Sequence, residues 1–66
     1  MEFQEYGKAV RAITDEADAT NLRDAHTFYA GQISADEYLA RCAATLANER
    51  SQVSAMARKY LPPLAS

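Results

Sequence analysis

Between Gly7 and Pro62 a single glycine, Gly31, and no proline interrupts the chain. The strongest breakers of regular backbone are thus confined to the middle and the ends. Two long uninterrupted stretches remain. Both are rich in alanine, leucine, glutamate and arginine, which favour helix, and neither shows the alternation of β-branched residues that a strand needs. The expected fold class is all-α. It takes the form of an antiparallel helical hairpin with a helix over about 2–30, a turn over about 31–34, a helix over about 35–61 and a short tail over 62–66.

The turn is written locally. Gly31 stands where a helix C′ residue would, and glycine accepts the left-handed conformation there with little strain. Ser34 followed by Glu37 is a capping-box pair: the serine oxygen accepts from the backbone N–H of residue 37, and the glutamate reaches back to the N–H of Ser34. Ile33 and Tyr38 have the spacing of a hydrophobic staple. Asp36 adds negative charge at the positive end of the second helix. Stop, turn and start signals fall within eight residues, which fits a tight antiparallel connection.

In the first stretch Phe3, Tyr6, Val10, Ile13 and Ala17 are spaced 3, 4, 3, 4 and form one helical face. The stripe then drifts to Leu22, Ala25 and Phe28 or Tyr29, as a straight helix of 3.6 residues per turn would. The alternative is a break at Thr20-Asn21, with Asn21 capping a third helix. In the second stretch Leu39, Cys42, Leu46, Val53, Met56 and Tyr60 fall on a heptad seam, with Glu49 at its one irregular position. Glu49 is read either as turned outward, as a register device, or as a partner of Arg11 or Arg50. Pro62-Pro63 ends the helix by removing donors and restraining the preceding residue.

Folding at residue 32 pairs positions summing to about 63, which sets Ala17 near Leu46 and Ala25 near Leu39. Each helix would run roughly 40 Å at about 1.5 Å per residue. One hairpin has one internal interface, yet each helix keeps a second flank: Leu22, Tyr29, Ala43, Ala47, Ala57 and Leu61. A chain of 66 residues buries only about 60% of its unfolded surface and draws support from disulfides, metal, oligomerisation or partners. One cysteine and one histidine rule out an internal disulfide and a Cys/His zinc cluster. Association remains. A homo-oligomer is expected, a dimer favoured, or else a different protein as partner.

Other classes fare worse. Seven basic residues against nine acidic do not make a nucleic-acid footprint, and "SADEY" would bring carboxylates to phosphate at the front of a recognition helix. No run approaches the ~18–20 apolar residues of a membrane span. The N-terminus, "MEFQEYGKAV", lacks a signal-type apolar region. The expectation is a cytoplasmic, single small domain over 1–66, close to a complete small protein, with no cofactor and no enzymatic role. Asp15, Glu16 and Asp18 read as a solvated acidic face, since a helix has no free carbonyls to complete a hard-cation shell. His26 and Cys42 lie more than a turn apart in the hairpin and lack a third orienting group.

The expected function is therefore a non-enzymatic protein-binding factor (an adaptor, chaperone-like protein or inhibitor) that docks through helix faces. Its contacts would be Leu22, Tyr29, Tyr38, Tyr60 and Leu61, because tyrosine gives large contact area at low entropy cost. In outline such a hairpin is similar to small helical-hairpin proteins that act as secretion chaperones or phage-encoded inhibitors, a likeness of architecture rather than motif. The alternative is sequestration of an anionic ligand such as a nucleotide where Tyr6, Lys8, Arg58 and Tyr60 meet between subunits.

Overall fold

The computed structural model describes residues 2–62. Residues 63–66 of the expected tail lie outside the described residues. Two helices fill the rest, α1 over Glu2–Tyr29 and α2 over Ala35–Tyr60, packed as an antiparallel hairpin. α1 is continuous, as its periodicity predicts, and the alternative break at Thr20-Asn21 does not occur. Both residues lie within α1, and the Thr20 hydroxyl donates to the Glu16 carbonyl at 3.0 Å. The bond satisfies the hydroxyl within the helix, and Asn21, the candidate cap, is turned half-buried into the seam with its Oδ1 unpartnered.

The elbow is built as its residues dictate. Gly31 has φ 78°. Gln32 N–H donates to Thr27 O at 3.1 Å and Gly31 N–H to Phe28 O at 2.9 Å, the paired bonds of a Schellman stop. Ser34 is extended (φ −75°, ψ 164°) and its Oγ accepts from Glu37 N–H at 3.1 Å. The second arm of the expected capping box is absent among the described residues. The Glu37 carboxylate lies 3.6 Å from Arg41 Nη2 instead. At the far end Leu61 turns to ψ 146° while its N–H still reaches Ala57 O, the conformation that a following proline imposes.

The helices meet along Tyr6, Val10, Ile13, Ala17, Asn21, Asp24 and Phe28 of α1 and Tyr38, Cys42, Thr45, Glu49, Val53, Met56 and Tyr60 of α2. Apart from buried Ala17, all of these are half-buried. The seam of α2 thus departs from the sequence expectation. Leu39 is 63% exposed and Leu46 47% exposed, whereas Glu49 faces inward. The cause lies beside the turn. The Tyr38 ring stacks on Phe28, centroids 4.9 Å apart and planes 4° from parallel. Neighbours in a helix point about 100° apart, so seating Tyr38 turns Leu39 out. The rotation persists for two turns, so that Thr45 replaces Leu46 at the interface, and from Glu49 onward the expected row holds. The register moves as well. Arg41 Nη1 lies 3.3 Å from Asp24 Oδ1, so paired positions sum to 65 rather than 63. Asn48 is thus level with Ala17 and Ala40 with Ala25, a displacement of one to two residues from the expected pairing.

Ala17, 7% exposed, is the only buried residue among those described. The Cα trace measures 49 × 22 × 9 Å with a radius of gyration of 15.3 Å, against about 11 Å for a compact chain of this length. The hairpin is one helix thick. No side chain can have neighbours on more than one side, so the hairpin by itself has almost no core.

Candidate functional site

The two broad faces of this thin layer differ in chemistry. On one, Ile13, Glu16, Ala17 and Thr20 face Thr45, Asn48, Glu49 and Gln52 across a narrow cleft of ≈ 70 Å³. Such a space holds water but no organic ligand. Arg23 donates to Thr20 Oγ1 at 3.2 Å near this cleft, and within the seam Asn21 Oδ1 is buried without a hydrogen-bond partner. Glu49, the irregular seam residue, lies here, and no ion pair with Arg11 or Arg50 forms among the described residues. Polar side chains thus fill the middle of the interface between the helices, where the sequence pattern had placed leucine.

On the other face, Leu46, Arg50, Val53 and Ser54 line an open groove with Glu49 at its edge. At about 100° per residue, Leu39 falls on this same side of α2, away from Asn48 and Gln52. Antiparallel packing brings Asp18, Leu22, Ala25 and Tyr29 of α1 to the same side. Leu22 is 58% exposed and Tyr29 84% exposed. Leu39, Leu46 and Val53 are spaced by seven, and so are Leu22 and Tyr29, the repeat of a helix seam that expects a partner. This leucine face is the candidate site. Sequence reasoning put Leu39 and Leu46 inside the hairpin and so missed them as surface residues. The signal available was their strict seven-residue repeat with Val53, distinct from the row through Tyr38 and Thr45.

The expected contact residues divide. Leu22 and Tyr29 stand on the open face. Tyr38 is committed to its stack on Phe28, whose ring also lies 5.6 Å from that of Tyr29. The Tyr38 hydroxyl is held above the usual tyrosine range, first by the side chain of Cys42 one turn on, and then by burial and by the charges of Tyr29 and Asp24. Tyr60 and Leu61 are half-buried at the open end.

For the anionic-ligand alternative, Tyr6 and Tyr60 share the open end of the seam. Lys8 and Arg58, each two residues from one of them, lie about 200° around their helices and point away. Lys8 is 3.9 Å from Glu5 and lines a shallow groove with Gln4, Gly7 and Arg11 on α1 alone. Lys59, not Arg58, lies over the Tyr60 ring, at 5.2 Å.

His26 is exposed, whereas Cys42 is a half-buried free thiol. Among the described residues no three His, Cys, Asp or Glu side chains gather to hold a metal ion. No helix of the described residues is long and apolar enough to cross a membrane. No protein-family model matches the chain, and neither does any curated protein or solved structure.

Proposed function

We propose that this chain is a non-enzymatic protein-binding factor that docks another polypeptide through the leucine face of its hairpin. One observation carries the reading. Three leucines stand 47–63% exposed on a layer that, among the described residues, buries a single alanine. Burial of apolar surface is the main favourable term in folding, and this hairpin obtains little of it by itself. A second helical surface laid on Leu22, Leu39, Leu46 and Val53 would supply the missing core by helix packing. Tyr29 would add a large aromatic contact at the rim, with Asp15 and Asp18 steering basic side chains on the partner's surface.

The test is affinity purification from the native source with the intact chain as bait, beside Leu22→Asp and Tyr29→Ala variants. The reading expects the variants to lose the recovered protein while their far-ultraviolet circular dichroism keeps its helical form. Equal recovery with intact helicity would count against the face. The rival reading, a nucleotide held near Tyr6 and Tyr60, is separated by thermal shift, because a bound ligand raises the melting temperature by mass action. No shift in millimolar nucleotide would dispose of it.

A further inference from the structure

We infer that the occupant of the leucine face is a second copy of this chain. The two would be related by a two-fold axis parallel to the helices, so that α1 of each copy lies antiparallel against α2 of the other. The inference rests on the reading above and names its partner.

Area comes first. The chain exposes 5242 Å². A folded monomer of 7.3 kDa is expected to expose about 4,200 Å² by surface scaling, so about 1,000 Å² is in excess. A stable dimer buries about 800 Å² per partner. The excess is thus large enough for one such interface, and laying two leucine faces together would turn two thin layers into a four-helix bundle with one shared core.

Register comes second. An axis parallel to the helices keeps every residue at its own height, so the hairpin's pairing sum of 65, set by Asp24 and Arg41, also governs contacts between copies. Leu22 of one copy then stands at the height of Ala43 in the other. That position is the hole formed by Leu39, Cys42, Ala43 and Leu46. In return, Leu46 enters the hole of Asp15, Asp18, Ala19 and Leu22. These are knobs into holes in both directions.

Charge comes third. Arg50 lies beside Leu46 and Val53 in the open groove. It makes no ion pair among the described residues, and neither do Asp15 and Asp18. In the proposed dimer Arg50 stands level with the partner copy's Asp15 and about one turn from its Asp18. The other face-to-face arrangement, with the axis across the helices at Leu46, would bring Asp18 within a turn of its own copy and leave Arg50 among alanines. Like charges set so close disfavour a pairing, so the charges select the first arrangement.

The experiment is sedimentation equilibrium of the purified full chain over a range of concentrations, which needs no other partner. Wild type is expected at twice the 7.3 kDa of the chain. Leu46→Glu is expected to dissociate it. Asp18→Arg and Arg50→Asp are each expected to weaken the dimer about tenfold or more, and the double charge exchange to bind at least about threefold tighter than two additive losses would leave it, since Asp15 still stands level with position 50. A chain that stays monomeric at every concentration overturns the self-pairing, and capture of a different protein through the same face would still be open to its own test. A dimer indifferent to Leu46→Glu overturns the choice of face. Charge variants whose losses add without recovery overturn the register.

Discussion

Leu39→Ala separates a covered leucine face from an open one by a calculable amount. Leu39 is 63% exposed in the single hairpin. Fully burying a leucine side chain contributes about 1.5–3 kcal/mol, so covering the exposed part contributes about 1–2 kcal/mol. Alanine keeps only Cβ, and a symmetric dimer contains the site twice. The substitution should therefore weaken association by about 2–3 kcal/mol, or about 30- to 150-fold in Kd. In an isolated hairpin the same change is at an exposed helix position, where substitutions stay within about 0.5 kcal/mol, and alanine is the better helix former. The assay is the dimer dissociation constant from sedimentation equilibrium, with the melting temperature followed against concentration. A Kd within about threefold of wild type, with an unchanged melting curve, would refute the argument that Leu39 is covered.

The two glycines should respond in opposite directions. Gly7 lies inside α1 with nothing within 4 Å of an added Cβ, so Gly7→Ala should stabilise by about 0.5–1 kcal/mol, whereas Gly31 at φ 78° should lose about 1–2 kcal/mol on becoming alanine; thermal melts of the two variants decide. Asn21→Ala removes the unpartnered carbonyl and should raise stability by about 1 kcal/mol, read from urea unfolding. The raised Tyr38 pKa means that the folded chain holds this phenol proton more tightly than the unfolded chain. The resulting stability is fully present below the usual value of 10.0 and is lost as pH rises through the higher folded value. Ultraviolet titration should show a late tyrosine component that vanishes in Tyr38→Phe.

The hairpin was legible in the sequence because its determinants are local. Gly31, Ser34 and the terminal prolines fix where helices stop and start, whatever they pack against. The rotation of α2 was not legible. The seam read through Leu39 and Leu46 and the one observed through Tyr38 and Thr45 share Cys42, Glu49, Val53, Met56 and Tyr60, so periodicity fits both. A contact across the turn, Phe28 on Tyr38, chooses between them. Hydrophobicity favoured the wrong row, since the apolar arc of α2 is wider than one seam and the leucines belong to its outer part. Glu49 was the clue: a carboxylate on the expected seam is better accommodated beside a wet polar cleft than inside a leucine core. For the ligand alternative, the directions of its charged residues were legible. Residues two apart on a helix do not share a face, which separates Lys8 from Tyr6 and Arg58 from Tyr60.

The outward orientation of the α2 leucines, and the second copy proposed to cover them, are tested most directly by isotope-filtered nuclear Overhauser spectroscopy on an equal mixture of labelled and unlabelled chain. Cross-peaks within one chain should join the Phe28 and Tyr38 rings and the Ala17 and Thr45 methyls, while Leu39 and Leu46 methyls should give cross-peaks to Leu22 only between chains. Strong Ala17–Leu46 cross-peaks within one chain, with none between chains, would contradict both.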